Sequence, residues 1–160
     1  MYTFHVITVG PLKEAAHREI VAEYEKRLSG AYKLKRTEIP AHKLPSSPSP
    51  AEIRSALAAE AQAILRAIPK GAHKIALCVE GRRFDSPAFA EYMRRAADGG
   101  ASELTFIIGS SYGLDESVKS ACNLRLSVSD FTFPHGMMQP ILYEIIYRSC
   151  SIISGGKYHK

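Results

Sequence analysis

The 160-residue chain lacks a C-x-x-C pair, a long apolar run and a basic leader closed by small residues. Cys78, Cys122 and Cys150 are odd in number and far apart. That spacing argues against a disulfide framework or a zinc ribbon, and it makes a reducing, cytoplasmic setting the expectation. No stretch approaches the roughly 20 apolar residues that cross a bilayer, and Met1 to Gly10 has no basic n-region. Neither a metal centre nor a membrane attachment is expected. Charge of one sign is only in mild excess: 21 Lys and Arg stand against 16 Asp and Glu, giving +5. Such a balance favours a polyanionic partner such as RNA without requiring one.

What is present reads as one globular domain over residues 1–160, since the length allows one compact core and not two ordinary ones. Tyr2 to Val9 is a β-rich apolar run closed by Gly10-Pro11. Lys13 to Leu28 follows as a helix with Ala16, Ile20, Tyr24 and Leu28 on one stripe. Tyr32 to Ile39 is a second strand. Residues 40–50 then carry four prolines and three serines, the composition of a mobile surface loop. Ala51 to Ile68 and Pro87 to Ala97 are helical, and His73 to Val79, Leu104 to Ile108 and Arg125 to Val128 are strands. A short helix opens near Asp115 and a last one ends near Ser154. The alternation predicts an α/β fold, a parallel-dominated sheet flanked by helices, with ligands at the strand ends after Val79, Ile108 and Val128.

The last helix is apolar nearly all round. Ile141, Leu142, Ile145, Ile146, Cys150 and Ile153 leave little more than Glu144, Arg148, Ser149 and Ser151 for solvent. At the end of so small a domain this pattern calls for a second buried face, and a homodimer is expected.

Gly109-Ser110-Ser111-Tyr112-Gly113 matches the G-x-S-x-G elbow of serine hydrolases, with Asp130 and His135 following Ser111 in the hydrolase order. The context argues against that reading. The following helix carries Asp115, Glu116 and Lys119, the chain is short, and Asp130 and His135 are too close to come from separate strand ends. The alternative is a glycine-hinged turn that brings main chain up to a ligand, as an adenine pocket needs. Residues 129–138 hold Phe131, Phe133, Met137 and Met138, which suit a flat base or a sulfonium and equally suit core packing. A lone His135 reads first as a capping residue. Arg148 stands one turn after Glu144, an ion-pair spacing. The tail Gly155-Gly156-Lys157-Tyr158-His159-Lys160 could stack on a base, contact phosphate and exchange a proton.

Together these segments resemble the ribosomal large-subunit pseudouridine N3-methyltransferases of the H type, a branch of the SPOUT superfamily. The resemblance covers essentially the whole chain. It rests on Val9-Gly10, Glu23-Tyr24-Glu25-Lys26-Arg27-Leu28, the turn at Gly109, Thr132-Phe133-Pro134-His135, Tyr147-Arg148 and Tyr158-His159-Lys160. It implies a C-terminal trefoil knot and a homodimer with active sites at the shared interface. It also implies S-adenosylmethionine held by main chain at Leu77, at Gly109 and along Val128, Ser129, Asp130, Phe131, Thr132 and Phe133. The implied substrate is a pseudouridine of the stem-loop called helix 69 in ribosomal RNA of assembled ribosomes. Arg148, Tyr158 and His159 are then the residues for substrate contact or catalysis, His159 first as proton acceptor because imidazole titrates near neutrality.

The chain departs from the family pattern at Ser110, where a second glycine is usual, and at Gln139, where arginine is usual. Pro140 replaces an aliphatic residue. Ser110 narrows the turn, and Gln139 removes a positive charge beside the implied site. The second departure keeps a non-catalytic, ribosome-binding descendant among the alternatives, beside the hydrolase.

Overall fold

The computed structural model describes residues 3–101 and 103–159. Tyr2, expected to open the first strand, and Lys160, expected in the basic tail, lie outside the described residues. The elements are β1 (Thr3–Val9), α1 (Ala15–Ser29), β2 (Lys33–Ile39), α2 (Pro50–Ala67), β3 (His73–Arg82), α3 (Ser86–Asp98), β4 (Glu103–Ile108), α4 (Glu116–Ser120) and β5 (Leu124–Leu126). A 3-10 turn (His135–Met137) then leads into α5 (Met138–Ile153). The sheet has order β2-β1-β4-β3-β5, and each of its four pairings is parallel.

Side-chain alternation along the strands builds two cores, as a sheet covered on both faces requires. Phe4, Val6, Ile75, Leu77, Leu104, Phe106, Ile108, Leu124 and Leu126 face α1, α3 and α5. Ile7, Val9, Ala76 and Ile107 face α2 and α4. On that second face His5 lies between Thr37 Oγ1 at 2.8 Å and Glu103 Oε1 at 3.2 Å, while Lys35 reaches Glu103 Oε2 at 2.7 Å. This polar row joins β2, β1 and β4.

Local signals fix where helices begin. Ser49 accepts from Glu52 N while Glu52 accepts from Ser49 N, a capping box with Pro50 at the first helical position. Residues 40–49 therefore form the loop, and Pro50 belongs to α2. The loop is tied down where the His42 amide donates to the buried Glu60 carboxylate at 2.9 Å. Asp85 caps α3 by accepting from Ala88 N.

Three sequence expectations need correction. The buried row of α1 contains Val21 and Leu28, with Tyr24 half-buried, whereas Ile20 is 43% exposed. A row of pure four-residue steps drifts round the helix, and the core follows the mixed three- and four-residue row instead. In α5, Ser149 is buried and not solvent-facing, at 1% exposure, because α1 and α3 both pack against this helix. Strand β3 runs past Val79 to Arg82: Leu126 of β5 pairs first with Leu77 and again with Arg82, so residues 78–81 arch outward between the two pairings.

Gly81 lets that arch close. A Cβ there would stand 2.6 Å from the Leu126 carbonyl carbon and 2.7 Å from that of Arg125. Gly81→Ala is expected to lower stability in urea by about 1–3 kcal/mol, the scale of overpacking. Gly30→Ala, at an αR position with nothing within 4 Å, should instead be neutral or stabilising by about 1 kcal/mol or less. Equal effects would contradict the close main-chain packing at Gly81.

Candidate active site

The C-terminal ends of β3, β4 and β5 surround a cavity of about 490 Å³. Each wall is chain that leaves the sheet, at the β3 arch or past the ends of β4 and β5. The β3 arch contributes Leu77, Cys78, Val79 and Glu80. The β4 turn contributes Ile108 to Leu114, folded tightly because Gly113 N donates to Ser110 O at 2.9 Å. Gly109 has no room for a side chain: a Cβ would meet Gly113 O at 2.1 Å. The segment after β5 contributes Ser127, Val128, Ser129, Phe131, Thr132 and Phe133, and His135 and Met138 close the α5 end.

Of the residues expected to hold a donor, Leu77, Gly109, Val128, Ser129, Phe131, Thr132 and Phe133 all line this one cavity. Asp130 does not; its carboxylate turns outward and pairs with Arg83. Val128 lies beyond β5, which ends at Leu126, so it belongs to the wall and not to a strand. Ser110 sits on the wall, while Gln139 is off it, 3% exposed, with its Oε1 lacking a hydrogen-bond partner among the described residues.

The residues that sequence reasoning missed are Cys78, Glu80 and Lys119. Lys119, named in the sequence only as a charge on the helix after the glycine turn, has a side chain 17% exposed, and its Nζ donates to Glu80 Oε1 at 2.6 Å on the cavity wall. That carboxylate raises the Lys119 ammonium, and the ammonium in turn holds Glu80 below the usual carboxylate range. Nothing in the spacing of residues 80 and 119 announces the pair. Burial pushes the thiols of Cys122 up to about 11 and Cys150 up to about 12, and raises Cys78 too, so none is a ready nucleophile near neutrality.

The hydrolase constellation is not assembled. His135 bonds through Nε2 to Val9 O at 3.2 Å, Asp130 is engaged by Arg83, and Ser111 has no imidazole partner among the described residues. His135 thus ties the post-β5 segment to the end of β1.

Arg148, Tyr158 and His159 gather elsewhere, at the far end of α5. That helix ends in a Schellman turn: Gly155 N donates to Ile152 O at 3.1 Å and Gly156 N to Ser151 O at 2.7 Å, with Gly155 at φ 70°. The chain reverses and lays Tyr158 edge-on against Tyr147, with ring centroids 4.9 Å apart. Glu144 joins the cluster by accepting from Arg148 Nε at 2.7 Å and from Tyr158 OH at 3.1 Å. Arg148 lies over the Tyr158 ring at 4.7 Å and approaches His159 Nδ1 at 3.4 Å. From α1, Tyr24 packs on Tyr147 and Arg27 covers both rings. Burial, then Tyr158 and Glu144, push the Tyr24 phenol well above its ordinary value, so it stays protonated. None of the cluster lines the cavity; Arg148 is nearly three turns beyond Met138, about 15 Å of helix axis.

A parallel sheet with a glycine-walled pocket at its strand ends defines an α/β ligand-binding enzyme. The family model described as "Predicted SPOUT methyltransferase" matches residues 2–159. Proteins named "Ribosomal RNA large subunit methyltransferase H" from Streptococcus suis (strain 05ZYH33) and Listeria monocytogenes serotype 4b (strain CLIP80459) are 43% and 41% identical over 155 residues, covering 97% of this chain and 98% of each relative. Two solved structures share the fold. One, described as "Structural insights into the 2-OH methylation of C/U34 on tRNA", has TM-score 0.54 at 17% identity and covers 96% of this chain and 98% of its own. A probable methylase family protein from Haemophilus influenzae Rd KW20 has TM-score 0.55 at 12% identity, covering 98% and 70%. The chain belongs to the SPOUT methyltransferase family and has its α/β fold.

A fluorophosphonate probe is expected to leave the protein unlabelled. Labelling that disappears in Ser111→Ala would restore the hydrolase reading.

Proposed function

We propose that this methyltransferase moves a methyl group from S-adenosylmethionine to N3 of a pseudouridine in large-subunit ribosomal RNA, on assembled ribosomes in the cytoplasm, as a homodimer. The observation that carries the reading is the convergence of three strand ends on one glycine-walled cavity. Relatives named for a large-subunit ribosomal RNA activity at 43% and 41% identity support the substrate class.

The cavity suits a nucleoside donor. Leu77, Ile108 and Leu126 offer apolar surface, and the side-chain-free backbone at Gly109, with the segment 128–133 beside it, is where amide and carbonyl partners would come from. When bound, S-adenosylmethionine supplies a sulfonium methyl open to in-line displacement. The chain's own task is to exclude water, fix the base and take a proton, because N3 of pseudouridine carries a hydrogen and is a poor nucleophile until that hydrogen leaves. Arg148 can hold the base carbonyls, and Tyr158 can orient the ring by stacking. In the described geometry His159 presents Nδ1 as an acceptor toward Arg148, and that same lone pair can take the N3 proton.

These groups stand too far from the cavity of their own chain, and a second copy resolves the distance. Ile141, Ile145, Arg148 and Ile152 form one stripe along α5, and all four are only partly buried. A twofold axis that pairs this stripe antiparallel brings Arg148, Tyr158 and His159 of one protomer beside the Met138 end of the other. We infer also that the chain is knotted. In support, the β3 arch returns onto the β5 main chain at Gly81, and Ser127 N donates to Arg82 O at 3.0 Å beneath it.

Incubating unmethylated ribosomes with labelled S-adenosylmethionine should yield one methylated pseudouridine in large-subunit RNA. His159→Ala should lower methyl incorporation by about 100-fold or more, the scale of general acid–base catalysis, and leave S-adenosylhomocysteine affinity within about two-fold. Ribosome binding with no incorporation by the unaltered protein would favour the non-catalytic reading, to which Gln139 lends its one distinctive residue.

A further inference from the structure

Glu80 and Lys119 form a charged pair on the wall of an otherwise largely apolar cavity. Their placement is specific. Glu80 rides on the arch that leaves β3 at Leu77 and returns at Arg82, and Lys119 comes from α4 on the α2 side of the sheet. His135 and Met138 line the same cavity from the start of α5, which packs on the other side of the sheet. Lys119 is anchored from two directions, by Glu80 at 2.6 Å and Glu116 at 3.4 Å. Glu116 is itself held by Arg125 and by Ser120 at 2.9 Å. The Glu80 carboxylate is therefore presented by a braced ammonium. One oxygen is taken by Lys119, and lone pairs remain for a ligand.

We infer that Glu80, oriented by Lys119, binds the ribose hydroxyls of the methyl donor and so makes the site selective for a ribonucleoside sulfonium. The inference rests on the proposed use of S-adenosylmethionine. The transferred methyl has to leave toward the end where RNA and a partner's tail can enter, which is the α5 end. The sulfonium is attached through C5′ of the sugar, and the vicinal hydroxyls lie on the opposite edge of the ring. With sulfur at the α5 end those hydroxyls point toward the α4 end, where Glu80 stands. A carboxylate accepting from a ribose diol is a recurrent nucleoside contact, and charge assistance makes it strong. Because Lys119 holds it below the usual carboxylate range, Glu80 is ionised at neutral pH and acts as an acceptor only.

The test is calorimetry on the full chain with three probes: S-adenosylhomocysteine, its 2′,3′-dideoxy analogue and 5′-methylthioadenosine. In Glu80→Gln, affinity for S-adenosylhomocysteine and for 5′-methylthioadenosine should fall by about ten-fold or more, while the dideoxy analogue binds as it does to the unaltered protein. Lys119→Met should give the same pattern with a smaller loss, since it frees Glu80 without removing it. Unchanged affinity for S-adenosylhomocysteine in Glu80→Gln would overturn the inference. Equal loss for the dideoxy analogue would overturn it too, by showing a structural role. A loss confined to S-adenosylhomocysteine, sparing 5′-methylthioadenosine, would assign Glu80 to the amino-acid group and overturn it as well. If the unaltered protein binds none of the three, the donor reading itself fails, and this inference with it.

Discussion

Main chain lies directly on main chain where β3, β4 and β5 end, with no side chain between. At Gly81 the returning arch touches the β5 backbone, and at Gly109 the turn touches Gly113. A methyl group at either position would collide with backbone, which cannot swing aside as a side chain can. The cavity exists because these contacts hold three strand ends in a narrow ring. A main-chain wall of this kind is what the proposed nucleoside donor would need from a site with few charged side chains.

The second organising feature is the length of α5. One end of the helix closes the cavity through Met138; the other carries Arg148 and a tail folded back by Gly155 and Gly156. Glu144 draws Arg148 and Tyr158 into one cluster, so contacts within the chain itself shape the tail. A rigid helix cannot bring its own two ends together. In the proposed homodimer two antiparallel copies do so, across the half-buried isoleucine stripe. Folding, and in the proposal pairing and chemistry as well, then depend on one element.

Much of this was legible in the sequence. Alternating apolar runs with glycine and proline punctuation gave every strand and helix to within a few residues, because parallel strands covered on both faces must read as apolar runs. The Gly109 turn and the post-β5 segment were identifiable from composition and from family resemblance. What escaped has a physical cause. The β3 arch depends on a pairing that skips from Leu77 to Arg82, and no local pattern encodes a skipped register. The Glu80–Lys119 pair joins elements remote in sequence, and a surface-type lysine gives no sign that it will be walled in. Asp130 faces outward although both its neighbours face the cavity, since Arg83 offers its carboxylate a partner in solvent. Ser149 looked like a solvent residue because its type is polar, and packing from α1 and α3 overrode the type.

In the proposed dimer a cavity and a tail from different copies make one site. The direct measurement is complementation between two inactive variants: one with the cavity closed by Gly109→Val, the other with the tail disabled by His159→Ala. Mixed after dissociation and reassociation, they should regain methyl transfer that neither shows alone, because one of the two sites in each mixed dimer is intact. Mixed dimers that form and stay inactive would show that cavity and tail must belong to the same chain, and would contradict the account.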